Sequence, residues 1–555
     1  MAFDGIVTKS ISNELCNSII NCKVNKIYEP TKNDIIFNLY GNGKNFNLAI
    51  CTNASFARLH LTEYTKPNPL NAPNFCMFLR KHLVGAIITD INSFDLERIV
   101  KINFETYNEL NDKINKTLYI ELMGQFSNVI LVNENGTILD CLNHVSAKAR
   151  ELLPVRPYSF PVNTKQSFLE LSNFEEFYKI FNDNFNSSID KTLSDTFIGI
   201  SRKFIQAICV KLDIDLLINN KENLRNLYNY IKKIIENIDK LNVECFLMPD
   251  KSDYYIDIAK NPSKLAVNTF LDKYYYEKEQ QSLYSTYREY LLSFLLRTLN
   301  KYKKRLININ SKLKECDKMD TYKLYGELLT SNLYMIKEPI DSITVLNYYT
   351  EKDITIPLDS TLSPSKNVER YYKKFNKCKN TIEVVNKQKV ETEEELKYME
   401  GLIFSIQECN SLMELQEIGN EVEENFSISM KNNVTKNDRK KEQKSMPKKY
   451  EINGFTVYVG RNNKQNDALT KSANKEDMWF HTQQIHGSHV ILKTEGKQVD
   501  FDTILKCASL AATNSKAKNS NNVPVDYTYV KYVRKPAGSK PGMAVYVNYK
   551  TVYVN

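Results

Sequence analysis

LLSFLLRTLNKYKKRLININSKLKEC, residues 291–316, decides how this chain is built. Leu292, Leu295, Leu299, Tyr302, Leu306, Ile309, Leu313 and Cys316 recur at alternating spacings of 3 and 4, the period of a helix burying one seam. The same rhythm returns in Val368, Tyr371, Phe375, Cys378, Ile382 and Val385, and again in Leu396, Met399, Ile403 and Ile406. Lys389 and Thr392 interrupt it, as a polar pair that sets register would. Two long heptad helices separated by about fifty residues predict an antiparallel coiled coil over 266–435, with an insert at 320–362 at its tip. At 1.5 Å per residue the second helix reaches roughly 60 Å. A rod of that length is a spanning device, which a compact enzyme core does not need.

On the amino-terminal side, residues 1–175 read as an α+β domain. KIYEPTKNDIIFNLYG alternates apolar and polar residues and runs into Gly41-Asn42-Gly43, a hairpin turn, with NFNLAICT as the returning strand. PNFCMFLRKHLVGA has helical spacing, while RIVKINFE, LYIELM and SNVILVNENGTILD read as strands. Residues 176–265 look helical, with Ser194 as a candidate cap and FIGIS, 197–201, as a tight turn of the kind small helical modules use to grip a nucleic-acid backbone. On the other side, DRKKEQKSMPKK falls in a basic linker at 436–449. Residues 450–555 then read as a small α+β domain, with strands in YEINGFTVYVG and GSHVILK, a helix in DTILKCASLAATNSKA and a closing hairpin in AVYVNYKTVYV. The fold class is therefore α+β multidomain.

Charge is unevenly spread over the 555 residues. The net charge is +9, and residues 445–555 alone carry 16 Lys+Arg against 8 Asp+Glu. A basic end on a near-neutral body points to a polyanionic partner. Eleven scattered cysteines without a CxxC pair fit reduced thiols and neither a disulfide framework nor a zinc ribbon. No cationic leader with an apolar core opens the chain, and the longest apolar runs are too short or too interrupted to span a bilayer, so the expectation is a cytoplasmic protein with no membrane partner.

DMWFHTQQIHGSHVIL, 477–492, holds the single tryptophan and three of the six histidines. His481, His486 and His489 lack the spacing of a zinc motif, so no metal is expected. In a strand, Trp479 and His481 share one face, which offers rings on which bases stack at about 1–3 kcal/mol each; core packing of Trp479 and His489 is the competing reading. GRNNKQND, 460–467, combines Arg461 with the amides Asn462 and Asn463, groups suited to RNA backbone and base edges. VRKPAGSKPG, 533–542, adds Arg534, Lys535 and Lys540 on a rigid basic loop. No P-loop, GxSxG, HExxH or dinucleotide fingerprint occurs. We therefore expect a non-enzymatic nucleic-acid-binding protein with no catalytic residues and no cofactor.

VGRNNKQNDALT, DMWFHTQQIHGSHVIL, VPVDYTYVKYVRKPAGSKPG and the ending YKTVYV are similar to the RNA-binding NFACT-R domain, and MAFDG, NAPNFCMFLRKHLVGA, ELMGQFSNVILV and RELLPVRPYSFP resemble the NFACT-N region. The whole chain thus resembles the NFACT family, the group of bacterial RqcH and eukaryotic NEMF, also labelled fibronectin-binding protein A. The resemblance implies an Fpg-like α+β front, a helix-hairpin-helix-type module and a ribosome-associated role. Family members bind a large (50S) ribosomal subunit stalled with peptidyl-tRNA and recruit alanyl-tRNA for mRNA-independent alanine tailing of the nascent chain. Contact with 23S rRNA, and help from a small RNA-binding accessory protein, belong to the same expectation. The family's tRNA-linked acidic-Arg pair falls on Glu97 and Arg98, with Glu replacing the usual Asp, and its ELMG segment falls on Glu121, Leu122 and Met123. Gln125 stands where a basic residue is common. The glycosylase chemistry of Fpg relatives needs a proline after the initiator methionine, and here Ala2 follows Met1. The family's second label carries an alternative expectation, a surface adhesin that binds fibronectin.

Overall fold

The computed structural model describes residues 3–426 and 445–555, except 109, 148–149, 261–262, 264 and 338–339. Most of the basic linker expected at 436–449 lies outside the described residues, as do Met1 and Ala2. The chain divides into two compact units, with the boundary between Gln280 and Gln281, inside the long helix Ala266–Glu315.

The first unit is organised around a nine-stranded antiparallel sheet. Its order is Arg58–Leu61, Lys44–Cys51, Asp34–Gly41, Lys23–Thr31, Ile87–Ser93, Ile99–Tyr107, Lys113–Glu121, Asn128–Asn133 and Ile138–Cys141. Asn42 and Gly43 have φ of 51° and 72°, the pair of left-handed conformations a two-residue hairpin turn requires. Helix Gly5–Ile19 buries Ile6, Val7, Ile11, Leu15 and Ile19 in the core, and Asp4 caps it by accepting the Val7 N–H. Helices Phe174–Asp183, Ile189–Thr196, Arg202–Lys211 and Lys221–Asp239 follow. The stretch read as helical also holds an antiparallel hairpin, Val243–Leu247 with Tyr254–Ile258, because alternating Tyr254 and Ile256 bury while Tyr255 stays half-exposed. One hydrophobic core runs from Phe3 in the sheet layer through these helices to Tyr275.

The second unit contains the arm. Pro364–Glu408 is a 45-residue helix with Pro364 in its first turn, where the missing N–H costs nothing. It returns antiparallel to Ala266–Glu315: Leu291, Leu295 and Leu299 pack with Met399, Leu402 and Ile406, whereas Cys316 meets Cys378 further out. The seam polar residue Thr392 is buried, and its hydroxyl donates to the Gln388 carbonyl at 2.6 Å, so the interruption satisfies itself. The tip carries helix Met319–Ser331 and hairpin Ser342–Asn347 with Lys352–Pro357, packed on Tyr371. A third helix, Leu412–Phe426, adds Leu415, Ile418 and Val422 to the arm's core.

The carboxy-terminal module is a six-stranded antiparallel sheet in the order Lys448–Ile452, Phe455–Val459, Val490–Leu492, Met478–Thr482, Val523–Tyr529 and Lys550–Val554. Met478 and Phe480 pack under helix Phe501–Thr513, and Trp479 points to the other face, as strand alternation dictates. The expected closing hairpin does not form. Val545–Tyr546 pairs with Val533–Arg534, and Lys550–Val554 pairs with Val523–Tyr529, because cross-strand partners further back in the chain win both segments.

Candidate nucleic-acid interface

In the first unit, Glu97 and Arg98 sit in the turn between strands Ile87–Ser93 and Ile99–Tyr107, with Asp95 at φ 49°. Backbone packing pins this turn. A Cβ on Gly5 or on Gly199 would lie 1.8 Å from the Leu96 carbonyl oxygen, and the Gly5 N–H donates to the Gly199 carbonyl at 2.9 Å. The Gly turn of FIGIS therefore packs on the Arg98 loop and holds it. Ser201, not Ser194, caps the next helix, accepting the Phe204 N–H, while Ser194 lies inside helix Ile189–Thr196.

Asp4 was not singled out in the sequence, yet its carboxyl lies close enough to feel the Arg98 charge. Burial pushes the Asp4 carboxyl up to about 6, against the Ser201 hydroxyl that donates at 2.6 Å and the nearby Arg98 charge. Burial likewise pushes the Arg98 guanidinium down, opposed by Asp4 and Glu97. Glu97 accepts from the Asn163 side chain at 2.6 Å. Beside them Phe94 stacks on Phe160 with ring centres 4.6 Å apart, and the two are 56% and 40% exposed. Exposed stacked rings beside an arginine are a surface on which unpaired bases stack. No pattern in the sequence marks Phe160 as a neighbour of Phe94, since a strand-to-loop excursion brings them together.

The ELMG segment plays a different part. Glu121 is 1% exposed and bound to the two terminal guanidinium nitrogens of Arg150 and the Tyr158 hydroxyl, and Leu122 is in the core, so neither side chain is presented to a tRNA. Their contribution is placement: Glu121 pairs with Ile99 in the sheet, and the Leu122 N–H donates to the Arg98 carbonyl at 2.8 Å. Met123 is half-buried and Gln125 exposed.

In the second unit, the expected platform of Trp479 and His481 forms as a stack but is covered. Their rings lie 5.6 Å apart at 15°, with His489 set edge-on to both. Trp479 is 1% exposed, enclosed by Val530, Leu469, Ala473, Val533, Ala544 and Tyr546, so it offers no face to a base. His489 is also buried, its Nδ1 2.9 Å from the Thr470 hydroxyl; His481 is half-buried. Burial pushes His489 down to about 3 and His481 to about 4, so both are neutral at pH 7. Among the described residues, the two His/Cys/Asp/Glu groupings tight enough to hold a metal are Asp140, Cys141 and His144, and Asp34, Cys51 and Glu279; neither includes these histidines.

The loop 460–465 opens helix Asn463–Ser472. Asn462 caps it by accepting the Gln465 N–H, and Gly460 lets the chain pass within contact of the Asn466 amide, where a Cβ would lie 2.1 Å away. Arg461 pairs with Glu414, Asn462 donates to Glu417 at 2.7 Å and Asn463 donates to Glu421 at 3.0 Å. Lys535 pairs with Asp467, Lys540 pairs with Glu395 at 3.1 Å, and Arg534 is exposed. The candidate RNA-contacting groups of both loops are thus brought to one side of the module, next to a cavity of about 270 Å³ lined by Arg461, Asn463, Trp479 and His486.

Together these features define a multidomain α+β protein with a coiled-coil arm and a basic β-rich carboxy-terminal module. The chain belongs to the NFACT family: residues 4–443 match the NFACT N-terminal and middle domains, and residues 448–545 match the NFACT protein RNA binding domain. It is 33% identical over 566 residues to the protein named Rqc2 homolog RqcH of Bacillus subtilis, covering 100% of this chain and 98% of that one. It is 30% identical over 564 residues to the Rqc2 homolog RqcH of Streptococcus suis, with the same coverage of 100% and 98%. A solved structure of the N-terminal part of the fibronectin/fibrinogen-binding protein of Streptococcus suis aligns with 26% identity and a TM-score of 0.41, covering 50% of this chain and 99% of that one. Among the described residues no helix is long and apolar enough to cross a membrane.

Proposed function

We propose that this protein is a cytoplasmic ribosome-associated quality-control factor. In this reading it binds a large (50S) ribosomal subunit stalled with peptidyl-tRNA, contacts 23S rRNA, and recruits alanyl-tRNA for mRNA-independent alanine tailing of the nascent chain. Bond formation stays with the ribosome's peptidyl-transferase centre, and the protein acts by binding and positioning. Membership of the NFACT family and similarity to RqcH proteins along the whole chain support the class of role.

The observation that carries the tRNA assignment is the Arg98 turn. Arg98 feels the Asp4 charge, its loop is locked by the Leu96 carbonyl between Gly5 and Gly199, and Phe94 of the same turn stacks, exposed, on Phe160. A guanidinium carried on a pinned turn beside stacking rings suits a folded RNA with unpaired bases, where the bidentate cation takes phosphate or a base edge. The experiment is to sequence the RNA that co-purifies with the tagged protein and with Arg98→Ala. We expect wild type to recover alanine tRNA and large-subunit RNA, and Arg98→Ala to lose the tRNA with unchanged folding. Equal tRNA recovery rejects the assignment, and a predominantly extracellular pool free of ribosomes favours the adhesin.

A further inference from the structure

Helix Leu412–Phe426 has two faces. Leu415, Ile418 and Val422 join the arm's core, while Glu414, Glu417, Glu421 and Glu424 form a stripe at spacings of 3, 4 and 3. That stripe reads the 461–464 loop residue by residue. Arg461 pairs with Glu414, Asn462 with Glu417, Asn463 with Glu421, and the Lys464 ammonium lies 2.7 Å from Glu424. The carboxylates of Glu417 and Glu421 also sit at the amino-terminal end of helix Asn463–Ser472, where exposed N–H groups and the helix dipole favour an anion. Arginine, amides and a lysine at a helix N-terminus are the groups that hold phosphodiesters. Here a row of glutamates occupies them.

The fit is incomplete on both sides. Glu421 is 1% exposed, and one of its carboxylate oxygens has no hydrogen-bond partner; the buried Trp479 indole nitrogen has none either. A cavity of about 270 Å³ remains between Tyr398 and Glu414 on the arm side and Arg461 and Trp479 on the module side. An unpaired buried carboxylate oxygen and an unfilled cavity both weaken a contact relative to a close-packed one. The surface therefore suits release better than permanent assembly.

We propose that the acidic stripe is an internal stand-in for a polynucleotide backbone: it docks on the 460–465 face of the carboxy-terminal module and must be displaced before that face takes RNA. This rests on the RNA-binding reading of the module. It makes RNA binding through the loop and docking of the module on helix Leu412–Phe426 mutually exclusive, so a large RNA particle, with its high local phosphate density, frees the module where it is needed.

The test uses the full chain and a 20-nucleotide oligouridylate. In E414Q/E421Q/E424Q the shape and helix propensity are kept and the charge removed, and a glutamine oxygen still accepts from the Asn410 N–H at 414 and the Tyr398 hydroxyl at 421; Glu417 is left in place because it holds both the Ser445 N–H and hydroxyl. We expect the variant to bind at least tenfold more tightly than wild type at low salt. Uncovering Arg461 and Lys464 adds two phosphate contacts, so its log–log salt dependence should steepen by about 1.4. Equal affinity in both proteins overturns the stand-in and leaves the RNA reading intact, whereas no binding by either overturns the RNA reading itself. A second measurement needs no variant. Carbodiimide labelling of Glu421 in wild type, read by mass spectrometry, should rise several-fold when saturating oligouridylate is added; unchanged labelling overturns the proposal.

Discussion

Glu121 and Arg150 are joined through both carboxylate oxygens, at 2.8 and 2.5 Å, and the Tyr158 hydroxyl adds a third donor at 2.9 Å. The pair stands one strand residue away from the Leu122 N–H that holds the Arg98 carbonyl. Removing one partner leaves the other charge poorly compensated in a largely buried place. Glu121→Ala should therefore destabilise the first unit by about 2–4 kcal/mol, the lower end reflecting Arg150's partial exposure. Urea unfolding followed by far-UV circular dichroism checks it, and an unfolding curve that matches wild type would show the pair to be dispensable.

The glycine at 199 offers a sharper test of how the Arg98 turn is held. Gly199→Ala combines a φ of 72° with a Cβ 1.8 Å from the Leu96 carbonyl oxygen, so backbone must move. Gly136, at φ 76°, has open space around its missing Cβ, and Gly136→Ala should cost only about 1–2 kcal/mol of conformational strain. Gly199→Ala should cost more than Gly136→Ala in denaturant and should also lower tRNA recovery, although residue 199 need not touch RNA. Equal effects of the two substitutions would contradict the packing role.

Trp479, as the sole tryptophan, reports on the carboxy-terminal module by fluorescence. His489 and His481 are held neutral, at about 3 and about 4, whereas the unfolded chain protonates both near 6.5. A histidine depressed in the folded state contributes stability above 6.5 that is lost as pH falls. Between pH 7.5 and 5 the loss should be about 2 kcal/mol for His489 and less for half-buried His481. Glu421, pushed up by burial, works in the opposite direction within the second unit. The urea midpoint of Trp479 emission should fall on acidification, and H481Q/H489Q should flatten the trend. A midpoint independent of pH in wild type would refute it.

The arm's seam separates two kinds of buried residue. Leu402 is fully buried among arm leucines, and Leu402→Ala should cost about 2–5 kcal/mol through lost burial and a residual cavity. Thr392 has its hydroxyl bonded to its own helix, so Thr392→Val should be neutral or stabilise by up to about 1 kcal/mol. Thermal unfolding of the two variants should move in opposite directions or differ strongly in size; a comparable loss in both would mean that Thr392 fixes register.

Much of this architecture is local, and local patterns are legible in a sequence. The 3-4 spacing from Leu295 to Cys316 specifies a helix seam because helical periodicity acts within a few residues. Asn42-Gly43 specifies a hairpin because its positive φ values are cheap for those residue types. Alternation along Met478–Thr482 placed Trp479 and His481 on one face for the same reason, and the ordered motifs shared with the NFACT family carried the assignment of the whole chain. What alternation does not state is what covers each face. Val533 and Tyr546 come from segments remote in sequence, and only their packing, with Leu469 from the preceding helix, turns Trp479 from a platform into a core residue. Tertiary structure likewise decided that Glu121 meets Arg150, that Leu96 needs glycine at both 5 and 199, and that four glutamates of one helix face the residues suited to phosphate. Those outcomes depend on contacts between distant segments, whose geometry is set by the packing of whole units and not by the preferences of neighbouring residues.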